Sequence, residues 1–266
     1  MQDRFKKFLI ASGDTKAEIV PGRGGLLASF SVKGTSILYL DSETLNNKEK
    51  SIRGGIPVLF PQAGLYNLES GPYHLKHHGF AKLKQWNIVE KTQDSIVLGL
   101  SSDEETKNDY PFDFNLKLKA KVSQGRLDYT MIVENTGKES LPTAYGTHPY
   151  FEVPDSEKSK VIVENIKNFD SQKVDWTKDY GVKFPNQGKI KILIPKNGQT
   201  PAKEISIDSD PKLFQLIYVW HEVGKNFICI EPWTRNDYAL NDPNKSIWIM
   251  PGENMEFSIS ISVKLF

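Results

Sequence analysis

Cysteine is almost absent from this chain of 266 residues, where Cys229 is the only one. A single cysteine cannot close an internal disulfide, and its apolar setting FICIE predicts a buried strand position rather than a nucleophile. The apolar run at residues 8–11 is too short for a signal peptide. We therefore expect a protein of a reducing compartment, the cytoplasm.

Long apolar runs and an excess of charge are also missing. No window approaches the roughly 20 apolar residues of a membrane-spanning helix. The 34 basic and 33 acidic residues nearly cancel, and neither sign forms a long block. This balance excludes the electrostatic footprint of a nucleic-acid or anionic-membrane surface. We expect no membrane association, and a small molecule as the binding partner.

Motifs of metal, nucleotide and covalent chemistry are absent as well. The chain contains no HExxH or CxxC pair and no GxSxG nucleophile elbow. The glycine clusters at residues 22–25 and 53–57 lack GxGxxG spacing, and no βαβ pattern follows them. They predict tight turns rather than a dinucleotide site. We expect neither a metal nor a cofactor.

Alternation of apolar and polar residues, by contrast, is abundant. Residues 255–265 alternate with period two, which is typical of a strand with one solvent face. Residues 115–122 and 127–135 flank a Ser-Gln-Gly turn and predict a β-hairpin. Further strands are predicted at residues 37–40, 86–91, 95–100, 160–166, 189–195, 203–207, 213–220 and 226–233.

Helical periodicity is weak throughout, and the polar residues 101–109 are expected to form an exposed loop. Many short strands separated by turn-forming residues indicate an all-β fold, either an antiparallel sandwich or a barrel. No repeat, low-complexity tract or linker divides the chain, so residues 1–266 are expected to form one domain. The chain is expected to be a monomer or a homodimer.

Three short segments place ionisable side chains where a plain strand would not have them. They are HHGFAK at 77–82, GTHPYF at 146–151 and IEPWT at 230–234. Histidine titrates near neutrality and can both give and take a proton, and Pro149 favours an extended backbone at His148. We interpret the segments as an acid and a base acting on a carbohydrate, with nearby aromatic residues as stacking surfaces.

The carboxylate of the third segment has two interpretations. Glu231 precedes Pro232, which donates no ladder hydrogen bond, so the strand is predicted to end there. Partial burial by Trp233 would raise the pKa of Glu231 and make it a stronger base, whereas an exposed strand-end acid is the alternative. His74 and His221 have no special context and are expected at the surface or in loops.

Arginine is scarce, since only five of the 34 basic residues are arginines. One of them, Arg53, lies beside a glycine pair, where its planar fork could bind a carboxylate, a phosphate or paired hydroxyls. Chance placement is the alternative for Arg53. The alternative for His148 is a histidine at the core edge whose ring nitrogens are both hydrogen-bonded.

Taken together, five segments resemble the aldose 1-epimerase (galactose mutarotase-like) family. They are RGGIPVLFPQ at 53–62, HHGFAK at 77–82, GTHPYF at 146–151, IEPWT at 230–234 and PGE at 251–253. Their order and spacing agree over nearly the whole chain, and the hexose-6-phosphate 1-epimerase-like branch is the most similar. The resemblance implies a large antiparallel β-sandwich, an active-site cleft across one sheet, and no cofactor.

The resemblance also implies a reaction. It makes His148 the general acid and Glu231 the general base that interconvert the α and β anomers of an aldohexose or a hexose 6-phosphate. It places His77 and His78 beside the sugar. The substrate-binding aspartate that the family carries on a strand between the acid and the base has no match in residues 178–190.

A phosphate site is implied by the same branch. Arg53 and Lys82 match the two cationic positions that hold the phosphate there, although Lys82 stands where the branch has an arginine. Lysine binds phosphate as a point charge, without a bidentate fork.

Two other functions compete with an epimerase. A catalytically silent sugar-binding or regulatory protein on the same fold would need neither His148 nor Glu231. A glycoside hydrolase would require two carboxylates flanking the scissile bond, and the sequence offers one well-framed carboxylate, Glu231.

Overall fold

The computed structural model describes residues 4–266, and most of its regular structure is β-strand. The strands are β1 (Phe8–Ser12), β2 (Thr15–Val20), β3 (Leu26–Val32), β4 (Thr35–Ser36), β5 (Val58–Leu59), β6 (Asn87–Lys91), β7 (Ser95–Ser101), β8 (Phe114–Ser123), β9 (Arg126–Asn135), β10 (Leu141–Thr143), β11 (Gly146–Thr147), β12 (Tyr150–Glu152), β13 (Ile162–Glu164), β14 (Tyr180–Pro185), β15 (Ile190–Ile194), β16 (Lys203–Ser209), β17 (Leu216–His221), β18 (Phe227–Trp233), β19 (Ile247–Ile249) and β20 (Asn254–Leu265). The helices are α1 (Ser42–Asn46), α2 (Glu104–Asp109) and short 3₁₀ turns at Pro21–Arg23, Ala81–Leu83, Asp155–Lys160, Ser171–Lys173 and Ala239–Asn241. Within residues 4–266, every helix is too short or too polar to cross a lipid bilayer.

Two large antiparallel sheets form the framework. The first has eight strands in the order β13-β15-β16-β20-β9-β8-β7-β6. The second has the order β14-β17-β18-β11-β5, with β12 also paired to β18. A four-stranded sheet, β1 to β4, and the pair β10-β19 complete the arrangement. The expected large antiparallel all-β fold is confirmed.

The second sheet separates two environments, because successive side chains of a strand point to opposite faces. On β18, Ile228 and Ile230 are fully buried and belong to the main core together with Met131 and Phe257 of the first sheet. Cys229 belongs to a separate cluster on the other face. That other face carries the functional side chains described below.

Two sequence-based expectations about local structure are wrong. Residues 101–109 do not form a loop throughout, because residues 104–109 form α2. The helix begins at Asp103, whose side chain accepts from the Thr106 backbone N–H while the Thr106 hydroxyl accepts from the Asp103 N–H, a reciprocal cap. Residues 37–40 make only isolated bridges, from Leu38 to Phe151 and from Leu40 to Gly54, instead of a strand.

Two expectations near the site are also wrong. β18 does not end at Glu231, because its pairing with β17 continues through Pro232 to Trp233. His221 is not a surface residue: it is the last residue of β17 and is fully buried. It packs against the ring of Trp176, 4.8 Å away between centroids.

Candidate active site

The register of β18 brings His148 and Glu231 together. Tyr150 of β12 pairs with Cys229, and Gly146 of β11 pairs with Trp233. This shared register sets His148, in the gap between β11 and β12, opposite Glu231. Its Nδ1 lies 3.3 Å from Oε1 of Glu231. Two residues that are 83 positions apart in sequence thus become cross-strand neighbours.

Burial controls the proton affinity of this pair. Glu231 has no exposed surface, and its burial raises the pKa of its carboxyl well above the usual value; a hydrogen bond from Trp233 and the charge of Lys183 oppose that rise. Burial likewise lowers the pKa of His148 well below the usual value, and the positive charges of Lys82 and Arg53 add to the effect. Both shifts favour an uncharged pair that holds one proton on the carboxyl.

Two buried atoms of the pair lack a hydrogen bond within the described part of the chain. Oε2 of Glu231 accepts a 3.0 Å bond from Nε1 of Trp233. Oε1 of Glu231 and Nδ1 of His148 make no hydrogen bond to any part of residues 4–266. Buried polar atoms are nearly always satisfied, so these two atoms mark the place where a polar ligand would be stabilised.

Five of the six predicted site residues line one cleft of about 520 Å³: Arg53, His77, His78, Lys82 and His148. The sixth, Glu231, lies beneath the cleft surface beside His148. Aromatic side chains complete the walls, including Tyr150, Tyr218 and Trp220. The cleft therefore combines titratable groups with the flat apolar surfaces on which sugar rings pack.

The HHGFAK segment forms one wall through an unusual backbone. His78 has a positive φ of 66°, which is uncommon for a residue with a side chain, and Gly79 has the same sign at 66°. Nδ1 of His78 contacts the carbonyl oxygen of Ala63. The ring of His78 stacks on His77 at 3.6 Å and meets the edge of His148 at 5.4 Å. His77 and His78 thus both border the cleft, where the resemblance places them.

Positive charge also borders the cleft. The guanidinium of Arg53 sits 5.4 Å above the ring of Trp220 and bonds to Glu222. Nζ of Lys82 donates a 2.9 Å hydrogen bond to the carbonyl oxygen of His77. Burial, reinforced by the charge of Arg53, lowers the pKa of Lys82 to about 8. Near neutral pH the two residues together form a cationic wall.

Comparison with known proteins shows the family of this chain. Residues 6–262 match the sequence profile of the family described as Aldose 1-epimerase. The chain belongs to the aldose 1-epimerase family. The acid and base roles of His148 and Glu231 stay predictions.

Relatives of this family member include two curated proteins. Both are named "Putative glucose-6-phosphate 1-epimerase". One, from Cenchrus ciliaris, is 26% identical over 272 residues, covering 90% of this chain and 79% of the relative. The other, from Escherichia coli K12, is 26% identical over 230 residues, covering 83% and 72%.

Solved structures share the fold over nearly the whole length. The Slr1438 protein of Synechocystis sp. PCC 6803 superimposes with a TM-score of 0.88 at 27% identity, covering 99% of this chain and 97% of that one. A galactose mutarotase related enzyme of Lactobacillus acidophilus gives a TM-score of 0.77 at 21% identity, with 97% of each chain covered. The fold is that of galactose mutarotase-like proteins.

The structure of this epimerase-family chain adds site residues that the sequence analysis missed. Lys183 pairs with Tyr218, and Tyr218 pairs with Glu231, so a row of polar side chains crosses three strands and ends at His148. Nζ of Lys183 lies 4.9 Å from the ring of Trp233 and 5.1 Å from that of Tyr218. On β14, where an aspartate match was missing, the chain therefore presents a lysine to the site.

Lys183, at the end of this row, also makes an ionic contact. Lys183 forms an ion pair with Asp237, whose Oδ1 also accepts from the Leu65 backbone N–H at 3.0 Å. From the alternation in LIYVWH, Tyr218 and Trp220 could have been predicted to share one face of a strand. That this face also holds Glu231 follows only from the register between β17 and β18.

The donor atoms of the site were also considered as metal ligands. His148, Cys229 and Glu231 offer ligand atoms that all lie within 4.8 Å of one another, and all three are buried. Burial raises the pKa of the Cys229 thiol well above its usual value, and metals bind the thiolate rather than the thiol. A metal bound there would have to displace the proton of the thiol, and the expected lack of a metal stays a prediction from the sequence.

Proposed function

We propose that this chain catalyses the interconversion of the α and β anomers of a hexose 6-phosphate, as an aldose 1-epimerase. The observation that carries the proposal is the pairing of His148 with Glu231 at 3.3 Å beside a cleft with a cationic wall. The names of the curated relatives support the phosphorylated substrate.

The reaction requires the pair to hold one proton between its two groups. In the reactive state Glu231 is ionised and His148 is protonated. Glu231 takes the proton of the hydroxyl at C1, His148 gives its proton to the ring oxygen, and the bond between C1 and the ring oxygen breaks. The products are the open-chain aldehyde and the uncharged pair.

Ring closure runs the same steps backwards. Rotation about the bond between C1 and C2 presents the other face of the carbonyl, and both protons then return to their starting groups. Burial favours the uncharged pair, which is the state that ring opening produces. Acid–base assistance of this kind contributes about 10² to 10⁴ in rate.

The rest of the cleft would orient the sugar. Tyr218 and Trp220, which are both partly exposed, offer flat surfaces against which a pyranose ring can pack. The ring nitrogens of His77 and His78 suit contacts with sugar hydroxyls. Burial lowers the pKa of both histidines, to about 4 for His77, so both are neutral near pH 7 and can donate as well as accept.

The phosphate would bind at Arg53 and Lys82. Arginine offers a planar fork to phosphate oxygens, and lysine adds a point charge. A charged sugar phosphate is retained inside cells, which fits the cytoplasmic location expected from the single cysteine. We further propose that residues 1–266 act as one domain with a small sugar as partner.

Magnetisation-exchange NMR on glucose, galactose and glucose 6-phosphate tests activity and phosphate preference together. Wild type is expected to accelerate anomer exchange of glucose 6-phosphate most. Glu231→Gln is expected to lose about 10² to 10⁴ of that acceleration, whereas Glu256→Gln, an exposed change on the other sheet, should retain it.

Two outcomes would contradict the proposal. Equal turnover of neutral and phosphorylated sugars would remove the phosphate role of Arg53 and Lys82. Sugar binding without any acceleration would favour the silent sugar-binding protein.

A further inference from the structure

The guanidinium of Arg53 already binds a carboxylate of the same chain. Its Nε donates to Oε2 of Glu222 at 3.2 Å, and its Nη2 donates to Oε1 at 3.4 Å. The two side chains are 36% and 27% exposed, at the edge of the cleft. A phosphate that uses the bidentate face of Arg53 must therefore compete with the carboxylate of Glu222.

The loop that carries Glu222 is held firmly by its backbone. Nζ of Lys158 donates a 2.7 Å hydrogen bond to the Glu222 carbonyl oxygen. The next two backbone N–H groups, at residues 223 and 224, donate to the carboxylates of Asp179 at 2.9 Å and Asp155 at 3.0 Å. Three charged side chains thus fix three consecutive residues.

The anchor itself is costly to build. Lys158 is fully buried, and burying an ammonium is unfavourable unless it is well paired. Its Nζ bonds to Asp155 at 2.7 Å and contacts Nδ1 of buried His221 at 3.4 Å. Neither Lys158 nor His221 has a part in the proton transfers. A need to hold the Glu222 loop in a fixed position would account for this costly arrangement.

We propose that Glu222 is a specificity-determining residue, a built-in anion that occupies the fork of Arg53 and lowers the affinity of the cleft for anionic sugars relative to neutral ones. A phosphate monoester carries close to two negative charges near pH 7, so it gains more from Arg53 and Lys82 than one carboxylate does. A hexuronate, with a carboxylate at C6, brings only the charge that Glu222 already supplies. It gains nothing by displacing Glu222.

This inference rests on the proposed function, because it assumes that the anionic group of the substrate lies at Arg53. It predicts effects on KM rather than on kcat, since Glu222 touches no reacting atom. The neutral sugar glucose provides the internal reference, because it brings no charge to that end of the cleft.

The test compares wild type with Glu222→Gln, and uses Glu164→Gln as a matched control. Glu164 is an exposed residue of β13 on the other sheet, so this control removes the same charge far from Arg53. In Glu222→Gln, KM for glucose 6-phosphate is expected to fall about fivefold, the size of one partly exposed charge contact. KM for glucose and kcat for both sugars should stay unchanged.

Glucuronate is the second probe. It is expected to bind wild type weakly and to bind Glu222→Gln about fivefold more tightly, as measured by inhibition of glucose 6-phosphate turnover. A KM for glucose 6-phosphate that rises in Glu222→Gln would overturn the inference, since Glu222 would then be positioning Arg53 for phosphate. An equal change in Glu164→Gln would overturn it too.

Direct titration with inorganic phosphate separates this inference from the proposed function. If wild type turns over none of the sugars, yet Glu222→Gln binds phosphate about fivefold more tightly than wild type and Glu164→Gln, the epimerase proposal fails and the competing anion stands. If wild type is active and phosphate affinity does not change, the competing anion fails alone. Thermal unfolding of both variants checks that the fold is intact.

Discussion

Trp233 donates its indole N–H to the carboxyl group of Glu231, two residues earlier on the same strand and the same face. Residues i and i+2 of a strand share a face, so β18 itself supplies both the proposed base and its hydrogen-bond donor. The donor lowers the pKa of Glu231 and so opposes the larger effect of burial.

Replacing Trp233 by Phe should therefore weaken the ionised form of Glu231. A hydrogen bond to a charged group is worth about 1.5 to 3 kcal/mol, so kcat for glucose 6-phosphate is expected to fall at least about tenfold. The pair holds one proton, on the carboxyl of Glu231, and becomes inactive at high pH when that proton is lost. Because the pKa of Glu231 rises further in Trp233→Phe, the alkaline limb of the pH–rate profile should move to higher pH. An unchanged limb in a folded Trp233→Phe variant would contradict this role of the indole.

Phosphate affinity should depend on pH through Lys82. Its pKa is lowered to about 8, by burial and by the charge of Arg53, so the ammonium loses its charge as pH rises through that value. KM for glucose 6-phosphate is expected to rise about fivefold between pH 7 and pH 9, while KM for glucose stays level.

The matched change is Lys82→Arg, which also restores the arginine of the related branch. Arginine keeps its charge throughout this range, so the rise in KM should disappear. If Lys82→Arg retains the rise, the titrating group lies elsewhere.

Lys183 is expected to support the base from a distance. Its charge lowers the pKa of Glu231, and it reaches this region over the faces of Trp233 and Tyr218. In Lys183→Met the plateau rate should fall several-fold, and the alkaline limb should move to higher pH. Lys183→Arg should restore both, and Lys189→Met, at an exposed position before β15, should change neither.

Stability depends on the face of β18 that points into the main core. Ile230 is fully buried in the main core, and its truncation to alanine is expected to lower the free energy of unfolding by about 2 to 5 kcal/mol. Val182→Ala, at a 40% exposed position of β14, should change it by less than about 0.5 kcal/mol. Urea titration followed by tryptophan fluorescence measures both, and equal losses would contradict the dependence of stability on burial in the core.

The strand content was predictable because alternation is a local property. The hairpin of β8 and β9 and the long strand β20 are confirmed with small shifts at their ends. Helix α2 was missed because its six residues are mostly polar and are stabilised by a side-chain cap instead of an apolar face. Pro232 was misleading because it pairs with β17 but lies in the gap between the contacts of β18 with β12 and with β11. A missing backbone donor is therefore tolerated there.

The candidate site was predictable only in part. His148 and Glu231 were found through short motifs, but their contact depends on the register between β18 and its neighbours. Lys183 and Glu222 have no motif, and their importance follows from cross-strand pairing and loop anchoring. His221 was misjudged because its buried neighbours, Lys158 and Trp176, are distant in sequence.

The burial of Cys229 gives the protein a surface free of reactive thiols. Because it is the only cysteine, a second one introduced at an exposed site can be labelled selectively without blocking the native thiol. Lys225, in the loop that follows Glu222, is exposed and suitable. A fluorophore attached there would report directly whether the loop moves when a sugar phosphate arrives.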